Sequence, residues 1–111
     1  MIELRSSPVV EATSDGKWQL VFWMGDAFEF ATPFRAALDE IADALRREAH
    51  SIMQLPECEE FEDFVEGTLH FGDNVLHVYF EHSLGYLALS TDSEEPLRRT
   101  AELIQPRVIV T

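Results

Sequence analysis

Cysteine is all but missing: Cys58 is the only one in 111 residues, which excludes an internal disulfide or a CxxC metal knuckle and fits a reducing compartment. Basic residues are scarce too, eight Lys and Arg against 21 Asp and Glu, for a net charge of −13. Such a chain repels phosphate backbones and anionic membranes, so nucleic acid and membrane surfaces are not the expected partners and a cationic protein is. No segment approaches the ~18 consecutive apolar residues of a membrane span, and MIELRSSPVV lacks a basic n-region followed by an apolar run, so a cytoplasmic protein is expected. Internal repeats, low-complexity linkers and catalytic signatures are also lacking. The expectation is a protein that is not an enzyme and uses neither cofactor nor metal. What the chain does have is 46% hydrophobic residues, enough for one modest core, hence a single domain over residues 1–111.

The charge is unevenly placed. From Glu48 to Leu97 there is no Lys or Arg, while Glu48, Glu57, Glu59, Glu60, Glu62, Asp63, Glu66, Asp73, Glu81, Asp92, Glu94 and Glu95 supply twelve negatives. The other nine acids are nearly matched by the eight bases. The densest part is PECEEFEDFVEG, and all four histidines, His50, His70, His77 and His82, fall in the same half. A charge run is by default a solvated face. Its concentration here favours a surface that meets a cationic partner.

In the first quarter, Ser14-Asp15-Gly16-Lys17 separates two β-rich runs and predicts an antiparallel hairpin of residues 8–13 and 17–24. In its second strand Trp18, Leu20, Phe22 and Met24 alternate with Gln19, Val21 and Trp23, a pattern apolar on both faces that suits either a central strand or one covered by a helix on one face and by a partner on the other. Ala27–Phe30 is a candidate third strand. Thr32-Pro33 then starts a helix over 33–50, threonine as cap and proline in the first turn. Its apolar face is Phe34, Ala37, Leu38, Ile41, Leu45 and Ala49, and Arg46 and Arg47 complement the dipole of its last turn. Pro56 opens an acidic connector that Leu55, Phe61 and Phe64 should pin to the body.

GTLHFGDNVLHVYFEHSLGYLALS reads as a meander. A turn at Asp73-Asn74 sets Phe71 opposite Leu76, Leu69 opposite Val78 and His70 opposite His77, and a second hairpin sets Phe80 opposite Leu87 and Glu81 opposite Tyr86. One face is then apolar, and the other carries Thr68, His70, His77, Tyr79, Glu81, Tyr86, Ala88 and Ser90. Thr91-Asp92-Ser93 precedes a short helix with acids in its first turn and a Leu97, Ala101, Ile104 stripe. Pro106 ends it, and RVIVT adds to a sheet edge. The expected fold is α+β: an antiparallel sheet of about five to six strands with one long and one short helix on one side, in the order ββ(β)αβββαβ.

Three constellations carry possible chemistry. His70 and His77, with Glu81 and His82 nearby, have metal-ligand character, but a pair on an open sheet face lacks a concave, supported site, so ordinary surface or interface histidines are expected instead. Cys58 sits among carboxylates, which raise a thiol's pKa and suppress its nucleophilic form. Tyr79 and Tyr86 beside Glu81 combine apolar area with hydroxyls, as interface centres do; the alternative is that a helix covers them.

With PECEEFEDFVEG and HFGDNVLHVYFEH in a small α+β chain that has no active-site motif, the sequence resembles bacterial toxin-immunity proteins of the contact-dependent growth inhibition and polymorphic toxin type. The resemblance implies tight cytoplasmic binding of one cognate toxin domain, commonly a basic nuclease. A carboxylate-rich surface can occupy a phosphate-binding groove while steering association. Glu57, Glu59, Glu60, Glu62, Asp63 and Glu66 are the expected electrostatic contact, with Tyr79, Glu81 and Tyr86 as anchors. The alternative is a small acidic secretion chaperone that holds an effector protein, for which the two-faced strand QLVFWM would serve. Such chaperones usually begin with a helix, whereas this chain begins with strand signals. Homo-oligomer formation is left open by the sequence.

Overall fold

The computed structural model describes residues 2–24, 34–57 and 62–111. Within them the chain runs β1 (Ile2–Leu4), β2 (Val9–Ala12), β3 (Trp18–Trp23), α1 (Phe34–Leu45), β4 (Ser51–Gln54), β5 (Phe64–Phe71), β6 (Asn74–Glu81), β7 (Tyr86–Thr91) and α2 (Glu94–Ile104). A 3-10 turn at Gln105–Arg107 then leads into β8 (Val108–Val110). Six strands form one antiparallel sheet in the order β2-β3-β7-β6-β5-β4, so the α+β class is as expected. The helices span 12 and 11 residues, similar in length where one long and one short were expected. The candidate strand Ala27–Phe30 and the Thr32-Pro33 helix start lie outside the described residues.

Alternation of apolar and polar residues assigns the two faces of this sheet. Leu20 and Phe22 of β3, Leu69 and Phe71 of β5, Leu76, Val78 and Phe80 of β6, and Leu87 and Leu89 of β7 all point to one side. There they join Phe34, Leu38, Ile41 and Leu45 of α1 and Leu97 and Ile104 of α2 in one buried cluster. Fully burying a side chain of this size stabilises by about 1.5–3 kcal/mol, so this layer of sheet on helices is what holds the fold. The α1 stripe includes Ala42 and Ala44 as well, a wider face than the apolar spacing indicated.

The β6–β7 register is the expected one, Phe80 opposite Leu87 and Glu81 opposite Tyr86. The β5–β6 register differs. Phe71 faces Asn74 and Leu69 faces Leu76, so the two-residue loop is Gly72-Asp73 and not Asp73-Asn74. Gly72 takes φ +59°, a left-handed conformation that glycine adopts without a Cβ penalty. The shift moves each partner by two residues, an even number, so every side chain keeps its face. His70 consequently sits opposite Val75, and His77 opposite Thr68, not opposite each other.

Helix α1 stops at Leu45, five residues short of the expected end, because the chain must reverse to feed β4. Glu48 and Ala49 both donate their N–H groups to Leu45 O, and the Arg46 Nε turns away from the helix to donate to Ser51 O at 3.0 Å. Arg46 and Arg47 therefore do not lie in the helix's last turn. The capping of α2 also differs from expectation: Ser93 is extended at its N-cap but makes no side-chain capping bond, leaving Glu94 and Glu95 in the first turn. Residues 108–110 do not extend the large sheet. They pair in parallel with β1, Ile2 beside Val108 and Leu4 beside Val110, in a separate two-stranded sheet that buries Ile2 and Leu4.

β4 was not expected from sequence; it is a four-residue edge strand joined to β5 with Gln54 opposite Thr68. Beyond it Leu55 folds over Gly67, where an added Cβ would lie 2.6 Å from Leu55 Cδ2 and would collide with Gln54 O. Gly67→Ala should therefore push β4 off the sheet, destabilising the protein by about 1–3 kcal/mol as overpacking does, read as a lower urea midpoint. An unchanged midpoint would show that Leu55 does not need this close approach.

Candidate functional site

Both helices pack on one side of the sheet, and the strand positions of the other side are ordered in cross-strand rows, with Val21 and Ala88 buried at its centre. The first row is Trp23, Tyr86, Glu81 and Phe64 on β3, β7, β6 and β5. The second is Val9, Val21, Ala88, Tyr79 and Glu66. The third is Glu11, Gln19, Ser90, His77, Thr68 and Gln54, and the fourth Val75, His70 and Ile52. None of these strand positions is Lys or Arg. Among the large exposed apolar side chains of the described residues, Val9, Trp23, Ile52, Phe64 and Val75 all belong to this one face. Apolar groups gathered in this way, unlike singly scattered ones, mark an interaction surface.

At one end of the face the aromatic rings form a continuous zigzag over four strands. The Trp23 and Tyr86 rings are 5.0 Å apart, Tyr86 and Tyr79 6.3 Å, and Tyr79 and Phe64 6.2 Å. Trp23 is 42% exposed and Phe64 57%. The two tyrosines are half-buried. Tyr86 Oη donates to Gln19 Oε1, whose amide donates to Glu11 Oε1 at 2.8 Å, so this ring is held by a chain of polar contacts along the sheet. Glu81 lies between Tyr86 and Phe64 in the first row, and Glu66 lies beside Tyr79 in the second. Partial burial, then the charges of Glu81 and Glu66, push the Tyr79 phenol above its ordinary pKa, as two carboxylates close to one hydroxyl should. His77 Nε2 stands 3.8 Å from Glu66 Oε1.

Tyr79, Glu81, Tyr86 and Glu66 are thus brought together. The remaining acidic candidates are divided. Glu57 and Asp63 are exposed, while Glu59 and Glu60, like Cys58 and Phe61, lie outside the described residues. Glu62 departs from the expected surface contact. Its side chain is only 7% exposed and its Oε2 lies 3.0 Å from Nε2 of His82, itself 2% exposed. Its other oxygen lies 3.6 Å from Nη2 of Arg35 in α1. The Phe34 and Phe80 rings stack at 4.1 Å and present themselves to the edge of the His82 imidazole. Arg35 Nη1 donates to Pro56 O at 2.8 Å, and the His82 backbone N–H donates to Asp63 O at 2.9 Å. The connector is therefore held by a polar anchor at Glu62 and by half-buried Leu55. Phe64 takes no part in this, because strand alternation turns it to the outer face.

Sequence reasoning missed Phe64 as a surface residue because it started the strand at Gly67. The alternation Phe64, Glu66, Thr68, His70 against Val65, Gly67, Leu69, Phe71 was the available signal. The opposed orientation of Trp18 and Trp23 was legible: Trp18 packs on the core, Trp23 faces outward. Among the described residues both helices lie on the opposite side of the sheet from Tyr79 and Tyr86, and the two tyrosines are half-buried. Among the described residues no group of three or more His, Cys, Asp or Glu is arranged to hold a metal ion, and no helix is long and apolar enough to cross a membrane.

The molecule so defined is an α+β chain with helices on one face of an antiparallel sheet and an aromatic, carboxylate-bearing surface on the other. Comparison with protein-family models, with curated proteins and with solved structures finds no match to this chain.

Proposed function

We propose that this chain is an inhibitor of the toxin-immunity type, which binds a basic, nuclease-type toxin domain in the cytoplasm through the outer face of its sheet and the flanking acidic connector. The observation that carries the reading is the zigzag of Trp23, Tyr86, Tyr79 and Phe64 interleaved with Glu81 and Glu66, on a face whose strand positions hold no Lys or Arg. Rings of this kind supply the desolvated centre of an interface, and the surrounding carboxylates supply complementarity to a cationic groove. Exposed ion pairs contribute only ~0–1 kcal/mol each, so affinity must come from the ring cluster, while the acids set rate and partner choice. Inhibition of this kind is occlusion and requires no chemistry from the inhibitor.

Growth is the test. The protein retained by this chain in cells of its source is identified, and its toxic domain is expressed with and without the chain. Protection by the chain, lost when Glu57, Asp63 and Glu66 are all reversed to Lys, is the expected result. A non-toxic partner, or full protection by the reversed variant, overturns the reading. The association rate with that partner should also fall by an order of magnitude or more between ~0.01 and ~0.15 M salt, as the screening length shortens from about 30 to about 8 Å. Stopped-flow mixing with Trp23 as reporter measures this, and a salt-independent rate would remove steering from the account.

A further inference from the structure

The first two rows of the outer face place aromatic rings and carboxylates side by side, and that juxtaposition has a chemistry of its own. Within the first row Glu81 stands between Tyr86 and Phe64, and in the adjoining row Tyr79 stands next to Glu66. The three consecutive ring separations of 5.0, 6.3 and 6.2 Å make one aromatic cluster over four strands, with Trp23 and Phe64 exposed at its ends and the two tyrosines half-buried between them. An apolar partner segment would satisfy the rings and leave Glu81 desolvated without a counter-charge, which is costly. A lysine would satisfy the carboxylate as a strongly hydrated point charge and gain little from stacking. A guanidinium satisfies both, since it is planar, weakly hydrated, stacks on aromatic faces and offers a fork of N–H donors to a carboxylate.

We infer that the Trp23–Tyr86–Tyr79 edge of the sheet is a receptor for an arginine side chain of the partner, with Glu81 as its counter-ion. This rests on the docking reading of the same face and names the group that anchors there. The guanidinium packs against the Trp23–Tyr86–Tyr79 cluster, whose tilted rings offer it one face at a time, and directs N–H donors to Glu81, with Glu66 adding a second negative charge from the neighbouring row. His77 Nε2 stands 3.8 Å from Glu66 Oε1, in the third row, and so lies beside Glu66 and not beside Glu81.

The experiment is a titration of the ring resonances of Trp23, Tyr79 and Tyr86 by NMR in the intact chain. The probes are N-acetyl-arginine methylamide, the lysine analogue and the uncharged citrulline analogue. Saturable shifts confined to these rings are expected, with arginine bound about threefold or more tightly than lysine and citrulline without effect. Glu81→Gln, which keeps the shape of the side chain, should weaken arginine about fivefold and abolish its advantage over lysine. Equal responses to arginine and citrulline, or to arginine and lysine, overturn the assignment, as does undiminished arginine binding in Glu81→Gln. A deca-lysine peptide is titrated in parallel. If it perturbs the same rings while capped arginine does not, the arginine receptor falls and the acidic docking face stands; if neither perturbs them, both fall.

Discussion

Trp23→Ala combined with Glu81→Lys is expected to weaken binding of the cationic partner by at least ~100-fold, close to 2.7 kcal/mol, while the urea unfolding midpoint changes little. Trp23 is partly exposed and its ring leans on Tyr86 at the outer surface, so truncation removes contact area without opening the core. Glu81 is half-buried in the same row, and reversal places a cation where the partner presents its own. Ile109→Ala is the control. Ile109 is also an exposed apolar side chain, but it belongs to β8 and not to the outer face, so its loss should leave affinity within about twofold. Calorimetric titration of the three proteins decides between them. Equal weakening by Ile109→Ala would move the interface away from the large sheet.

The second large effect concerns stability. Glu62→Ala should cost roughly 3 kcal/mol, because it removes an acceptor of a buried imidazole and a carboxylate beside Arg35 in one step. The Arg35 side chain is about a third open to water, so solvent recovers part of the loss on that side. Glu62→Gln keeps an acceptor for His82 and should cost less than half as much. The local consequence is more specific than the global one: amide protons of residues 62 and 63, just ahead of β5, should exchange faster with solvent, since the Glu62–His82 contact and the His82 N–H to Asp63 O bond tie this stretch to the β6–β7 turn. Equal midpoints for Glu62→Ala and the wild type would mean that the polar anchor is replaceable by water. Sparing Glu62 is also why the reversal variant proposed for the surface uses Glu57, Asp63 and Glu66.

Much of the sheet was legible because its strands alternate strictly. A period of two determines the face of each side chain whatever the exact pairing, so Tyr79, Glu81 and Tyr86 were placed together even though the β5–β6 turn lay one residue from where it was expected. The short strands were not legible for the opposite reason. Ile2–Leu4 and Ser51–Gln54 offer three and four residues, too few to show a period, and they become strands only because partners distant in sequence pair with them. Helix α1 was overextended because Arg46, Arg47 and Glu48 have good helical propensity; the need to turn into β4 overrides it. Glu62 was misplaced because one buried carboxylate among many exposed ones leaves no mark on composition, and its partners, Arg35 and His82, lie 27 and 20 residues away along the chain.

The parallel pairing of β1 with β8 gives the fold a mechanical character. Residues 2–4 run alongside residues 108–110 in the same direction, so a force that draws these two segments apart by their outer ends acts along the strands. The hydrogen bonds between them are then loaded together, in shear, and must yield collectively, whereas an antiparallel pair pulled from one end would open bond by bond.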